Sequence, residues 1–274
     1  MKILVTGAKG MLGQDLCPIL EDEGFDVIET DSTMLDVKDA NQINSVLKKE
    51  NPDIVIHCAA FTDVDGAEAD LISAKLVNEK GTEHIAKFCG EKEILIVYIS
   101  TDYVFDGTKA GPYLPEDKTN PINNYGKTKL GGEIAVQKYC KKHYIVRTSW
   151  LYGHHGKNFV ETMISLKDKP ELKVVDDQIG CPTWTVDLAN GILELIEEEY
   201  EHGIYHICGS GKTSWYNFAK EIFNHIGAKV NLIPRKTEES PRPATRPKNS
   251  AMDNEGFGRK WELALKDYLD LRSE

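Results

Sequence analysis

The sequence predicts an α/β protein built on a doubly wound parallel sheet, with a smaller α/β domain towards the C-terminus. Three observations carry this. Short apolar runs alternate with longer amphipathic stretches through the first half of the chain, the arrangement of βαβ units. A glycine-rich turn from Gly7 to Gly13 joins the first apolar run to the first amphipathic stretch. After Ser100 the rhythm breaks and resumes less regularly, which marks a long loop and then a second body.

Taken in order, Lys2 to Thr6 reads as a strand. From Gly10 to Glu23 the residues Met11, Leu12, Leu16, Ile19 and Leu20 recur at helical spacing, and Gly24 stands where a left-handed cap is wanted. Phe25 to Thr30 is a strand ending at Asp31, Asn41 to Glu50 a helix, Asp53 to Cys58 a strand, Ala74 to Cys89 a long helix and Ile94 to Ile99 a strand. The strands are expected to be continuously apolar because helices would cover both faces. The Gly/Pro-bearing stretch from Thr101 to Pro121 is expected to be an active-site loop. Asn124 to Lys141 then reads as a helix, Tyr144 to Thr148 as a strand, Val186 to Tyr200 as a helix with an acidic end, Pro234 to Pro247 as a Pro/Arg-rich loop and Trp261 to Leu271 as a last helix. Residues 1–150, with 183–200 returning to them, form the first domain. Residues 151–182 and 201–274 form the second.

Composition narrows the function. The 274 residues carry 33 Lys and Arg against 44 Asp and Glu, a net charge of −11 that repels polyanions and argues against nucleic acid or an acidic membrane surface as partner. No apolar run approaches the roughly 20 residues a membrane helix needs. Six scattered cysteines and the lack of a charged, apolar leader predict reduced thiols and a cytoplasmic protein. Close pairs such as Cys140 with His143 and His206 with Cys208 are too sparse for a metal site, and none is expected. Gly209 to Thr213 is not a phosphate-binding P-loop, because the first glycine that motif requires falls at His206.

Gly7, Gly10 and Gly13 carry the first chemical motif. Gly7 allows a tight turn, Gly10 lets a pyrophosphate approach the helix N-terminus, and Gly13 lets the helix lie close to the sheet. The spacing is G-x-x-G-x-x-G rather than G-x-G-x-x-G; it points to a Rossmann-type fold and a dinucleotide ligand, although a glycine-rich turn also serves any strand-to-helix junction. Asp31 sits where a carboxylate meets the adenosine ribose hydroxyls and favours NADH, whereas Lys9 suits a 2′-phosphate and favours NADPH, so both cofactors stay open. Tyr125 and Lys129, four apart at the start of a helix, share one face. A phenol titrates near ~10 in water, and a neighbouring ammonium stabilises its anion enough for acid-base work. Thr101, at the end of a strand, would add a hydroxyl to polarise a carbonyl.

These residues resemble the short-chain dehydrogenase/reductase superfamily in its extended, nucleotide-sugar-modifying branch. Further blocks are similar to its dTDP-4-dehydrorhamnose reductase family: Ala59 to Asp65, Ser100 to Gly107, Asn120 to Lys129, Arg147 to Tyr152, Asp177 to Thr183, Gly203 to His206 with Ser214-Trp215, and Arg246 to Ser250. They span nearly the whole chain. The resemblance implies reduction of the C4 keto group of dTDP-4-dehydro-6-deoxy-L-mannose by NAD(P)H to give dTDP-L-rhamnose for cell-surface polysaccharide. It assigns Thr101, Tyr125 and Lys129 to catalysis. Met11, Leu12, Ala59, Ala60 and Lys129 would line the cofactor, and Val64, Tyr103 and Trp150 the sugar pocket, although core packing accounts for Trp150 equally well. Arg242 and Arg246 would meet the nucleotide diphosphate or base, and a homodimer is compatible with the family. Two departures stand out: His57 replaces a frequent Asn, and Asn124 an apolar residue. A related 4-epimerase and a dinucleotide-binding regulatory subunit of the methionine adenosyltransferase type are the alternatives. Asp102-Tyr103, in place of Asp-Glu, argues against a dehydratase.

Overall fold

Six parallel strands form the central sheet of the computed structural model, which describes residues 1–272. In chain order the first half contains β1 (Lys2–Thr6), α1 (Met11–Asp22), β2 (Asp26–Thr30), α2 (Ala40–Glu50), β3 (Ile54–His57), α3 (Gly66–Ala69), α4 (Leu71–Lys75), α5 (Thr82–Lys92), β4 (Leu95–Thr101), α6 (Asn124–Tyr139) and β5 (His143–Thr148). The rest contains β6 (Leu151–Tyr152), α7 (Phe159–Ser165), β7 (Glu171–Val175), β8 (Ile179–Gly180), β9 (Thr183–Trp184), α8 (Thr185–Glu197), β10 (Gly203–His206), β11 (Thr213–Ser214), α9 (Trp215–His225), β12 (Asn231–Arg235) and α10 (Trp261–Arg272). The sheet runs β10-β5-β4-β3-β1-β2. The chain leaves β1 for β2 on one side and returns to β3 on the other, so the switch between β1 and β3 opens a crevice at the strands' C-terminal ends.

Alternate residues of each strand feed two cores. Ile3, Val5, Ile56, Val97 and Val146 pack with Leu12, Leu16 and Leu20 of α1 and with Leu188 and Ile192 of α8. Leu4, Val55, Ile96 and Ile145 point the other way, onto Ile43 of α2, Ile85 of α5 and Val136 of α6. Two-sided burial explains the apolar strands. The exception is β2, which pairs only with β1 and exposes Asp26 and Glu29, so the expectation of a continuously apolar strand fails at this edge.

The expected long helix is broken. Between α4 and α5 a π-helical stretch, Leu76–Gly81, carries one extra residue per turn. There the Asn78 carbonyl accepts the Thr82 hydroxyl at 2.8 Å, while the Asn78 side chain bonds Phe61 N, Phe61 O and the Thr128 hydroxyl. Gly81 lies so close to Val37 O that a Cβ would come within 2.6 Å.

A third core joins Tyr152, Val160 and Trp184 to Phe218, Ile222, Leu265 and Tyr268 from α9 and α10, and forms the smaller body. The stretch that returns to the first body is longer than expected. Besides α8, strand β10 pairs with β5 in parallel register, so the boundary placed after residue 200 moves beyond His206. Ser273 and Glu274, the last two residues of the second expected range, lie outside the described residues. The Pro/Arg-rich loop begins later than expected, because Asn231–Arg235 forms a strand paired with β7.

Candidate active site

The crevice at the sheet switch opens into a cleft of roughly 840 Å³ that reaches from the glycine turn to the smaller body. Gly7 takes a left-handed φ of 69°, and a Cβ there would sit 2.8 Å from Ala59 N, across the switch point. Gly13 serves its own turn: a Cβ would fall 2.4 Å from Ala8 O, so its absence lets the backbone wrap closely, more than it brings helix to sheet. Gly10 caps α1 without a side-chain hydrogen bond, which leaves the first amides of a 12-residue helix open to the cleft. Such a terminus fits the pyrophosphate of a dinucleotide.

At the end of the cleft beside β2, Asp31 is already occupied. Its Oδ1 accepts from Thr33 N (2.8 Å), the Thr33 hydroxyl (2.6 Å) and Met34 N (3.3 Å), while Lys9 pairs with Oδ2. The Lys9 bond and the Thr33 donors hold this carboxyl well below the usual range. The two residues that pull towards different cofactors thus neutralise one another. Lys38 and Ser32 also line this end, and no motif pointed to either.

The middle of the cleft holds Thr101, Tyr125 and Lys129. Thr101 ends β4, and its hydroxyl accepts from Tyr103 N at 3.2 Å and faces the Tyr125 phenol. Asn123 caps α6 by accepting from Gly126 N at 2.8 Å. Gly126 is required beside Tyr125, since a Cβ would lie 2.1 Å from Tyr103 O. One turn on, Lys129 Nζ lies 4.2 Å from the centre of the Tyr98 ring. Burial pushes the Tyr125 phenol up to about 12, partly offset by the Thr101 hydrogen bond. Burial brings the Lys129 ammonium down to about 7 against the pull of Glu133 and Cys58.

Beneath them, Glu133 receives Arg147 through Nε (3.0 Å) and Nη2 (2.8 Å) and the Ser100 hydroxyl at 2.5 Å, all buried. Asp102 follows Thr101 and accepts its hydroxyl at 3.0 Å, but its Oδ2 has no partner, and burial raises this carboxyl to about 7. His57 lies in the core rather than the cleft. Its ring bonds the Thr6 hydroxyl (2.7 Å) and the Thr82 hydroxyl (3.0 Å), and burial, then the Lys129 charge, lowers it to about 3, so it is a neutral brace. Asn124 ties α6 to α3 through its amide N on Glu68 Oε1 at 2.8 Å.

Of the expected site residues, Gly7, Gly10, Met11, Leu12, Gly13, Asp31, Ala59, Ala60, Val64, Thr101, Tyr103, Tyr125, Lys129 and Trp150 all line this one cleft. Arg242 and Arg246 do not: both face Asp65. Only the first residues of the expected active-site loop reach the cleft. The remainder packs Phe105 on Tyr113 (4.1 Å between ring centres) against the C-terminal segment. Trp150 plays both of its possible parts. It takes a left-handed backbone (φ 47°), stacks on Trp215 at 3.4 Å and still borders the cleft. Trp215 is a wall residue whose only signal was its place in a matching block.

The family model described as the RmlD substrate binding domain matches residues 1–271. The chain belongs to the RmlD substrate-binding-domain family. A relative of this RmlD-family chain is the spore coat polysaccharide biosynthesis protein SpsK of Bacillus subtilis (strain 168), 40% identical, with 99% of this chain and 98% of the relative covered. A dTDP-4-dehydrorhamnose reductase structure from Clostridium acetobutylicum superposes with a TM-score of 0.97 at 44% identity over 100% of both chains. One from Bacillus anthracis, solved in complex with NADP, gives 0.95 at 40% identity over 98% and 99%. Among the described residues no three His, Cys, Asp or Glu side chains gather as a metal-ligand set, and no helix is long and apolar enough to cross a membrane.

Proposed function

We propose that this RmlD-family protein is a reductase that uses NADPH or NADH to convert dTDP-4-dehydro-6-deoxy-L-mannose into dTDP-L-rhamnose, for cell-surface polysaccharide. The observation that carries this reading is the meeting of Thr101, Tyr125 and Lys129 midway along one cleft, between uncapped helix amides and a wall of Val64, Tyr103 and Trp150. The reduced nicotinamide would supply a hydride to the sugar C4. Met11, Leu12 and Gly13 would hold the pyrophosphate through backbone amides, with Asp31 and Lys9 at the ribose and Ala59 and Ala60 along the opposite side. Tyr125 keeps its proton in the free protein, since its phenol is pushed up to about 12. It gives that proton to the C4 oxygen as negative charge develops there. Thr101 polarises the same oxygen, and the Lys129 ammonium stabilises the phenolate left behind. Val64, Tyr103 and Trp150 shape the sugar pocket, and the arginines of the C-terminal segment supply cations for the diphosphate.

The protein acts in the cytoplasm, where its six free cysteines stay reduced. A second copy would cover Ile72 and Ile134, which are 74% and 56% exposed on the neighbouring helices α4 and α6. Light scattering of the purified protein tests this, with a monomer mass counting against it.

The deciding experiment is consumption of NADPH and of NADH with dTDP-4-dehydro-6-deoxy-L-mannose, followed to dTDP-L-rhamnose by chromatography. Oxidised cofactor accumulating in step with product supports reduction. A sugar inverted at C4 with no net oxidation of cofactor would show an epimerase instead.

A further inference from the structure

One carboxylate that no motif singled out ties the two bodies together beside the cleft. Asp65 follows the cleft residue Val64 and leads into α3. Its Oδ1 accepts from Ala244 N at 3.1 Å and from Arg246 Nη1 at 2.5 Å. Its Oδ2 accepts from Arg246 Nη2 at 2.9 Å and Arg242 Nη1 at 3.5 Å. Arg246 therefore grips both oxygens, a fork-to-fork geometry that only a planar guanidinium provides. Its Nη1 is also held by Ala244 O at 2.6 Å, and the group faces the Tyr103 hydroxyl. The Tyr103 ring in turn stands edge-on to Tyr125, 5.9 Å between centres. Next to Arg246, Thr245 O accepts from Asn123 Nδ2 at 2.8 Å, and Asn123 is the cap of the helix that carries Tyr125.

Exposure separates the two arginines. The Arg246 side chain is 15% exposed and the Arg242 side chain 63%. Arg246 has its fork filled from within the protein, whereas Arg242 makes one long contact and keeps donors free.

We infer that Asp65 is a positioning residue. It locks Arg246 into a strap that fixes Tyr103 against Tyr125 and leaves Arg242 as the guanidinium open to the diphosphate of the nucleotide sugar. This rests on the reductase reading and alters it at one point, by withdrawing Arg246 from direct contact with the anion and leaving that contact to Arg242. The strap touches Asp65, Tyr103 and Asn123 and stays clear of the glycine turn, so its loss acts on the sugar side alone.

The test uses the full chain with Asp65→Asn and the milder Arg246→Lys, which cannot fill both carboxylate oxygens. Each is expected to raise KM for the dTDP-sugar about tenfold and leave KM for NADPH within about twofold. The double variant should be no worse than the poorer single one, because both act through one contact. In the ligand-free protein, Asp65→Asn should speed amide hydrogen exchange across residues 240–250, because an NH2 donor then faces the Arg246 fork and only a neutral, weaker amide oxygen remains for Ala244 N. Unchanged kinetics with only a lower melting temperature, an equal rise in KM for NADPH, or additive losses in the double variant would each overturn the inference. If the wild type reduces no dTDP-sugar, the reductase reading falls and the strap is judged on exchange alone, where unchanged rates would sink it.

Discussion

Tyr125 and Lys129 are buried side by side in the cleft, where burial raises the phenol and lowers the ammonium. Replacing Tyr125 by Phe removes the hydroxyl proposed to give the proton and nothing else of size, so turnover should fall by about two to four orders of magnitude while cofactor binding, followed by fluorescence, persists. Near-normal turnover would remove Tyr125 from the chemistry. Asp102 carries a pH prediction whose sign follows from its buried, half-satisfied carboxyl. Held at about 7 in the folded protein, it keeps a proton that the unfolded chain has already released, so it lowers stability as pH rises from about 4 to about 7. Asp102→Asn should flatten that dependence, which urea midpoints at about pH 5 and about pH 8 would report. The Lys9–Asp31 pair carries the prediction for cofactor choice. Asp31→Ala frees Lys9 for a 2′-phosphate and should shift the ratio of kcat/KM towards NADPH, and Lys9→Ala should shift it towards NADH. Equal changes with both cofactors would show that this end of the cleft does not read the ribose.

At the scale of elements, the turn that presents Tyr125 depends on an empty space. With Tyr103 O only 2.1 Å from where a Gly126 Cβ would be, Gly126→Ala must push the start of α6 away from the 3-10 turn at Asp102–Val104. A loss of about 1–3 kcal/mol in chemical denaturation is expected, with a fall in turnover that stability alone does not explain. Strands β1 to β5 and helices α1, α2, α5, α6, α8 and α10 were legible from periodicity and caps, because burial on two faces or one imposes a pattern on sequence, whereas β6 to β12, α3, α7 and α9 were not read. The π-helical stretch was not. It depends on Asn78 O meeting Thr82 and on Gly81 meeting Val37, contacts between residues whose spacing along the chain carries no period.

For the whole molecule, the buried Glu133–Arg147 pair ties α6 to β5 beneath Thr101, Tyr125 and Lys129. Arg147→Met would leave the Glu133 carboxylate in the core with no cation and only the Ser100 hydroxyl, and should cost about 3–5 kcal/mol, measured by urea unfolding. Adding Glu133→Leu should recover much of that loss. The Trp150–Trp215 stack packs on the core of the smaller body, and the Asp65 contacts tie the C-terminal segment to the first body beside the cleft. Both pair residues far apart in sequence, which is why the matching blocks could name Trp150 and Arg246 but not what each one touches.

The sequence by itself determined the parallel α/β architecture, the glycine turn and the Thr101, Tyr125 and Lys129 set. The first two and the Tyr125–Lys129 pair are written in local spacing, as apolar period, glycine position and four residues along one helix, while Thr101 was named by its place at a strand end and in a matching block. Only the tertiary structure decided that β10 rejoins the first sheet, that Asp31 is engaged by Lys9, and that Arg246 serves the protein's own Asp65. A charged side chain chooses its partner by distance in space, and side chains 181 residues apart meet only once the fold has formed.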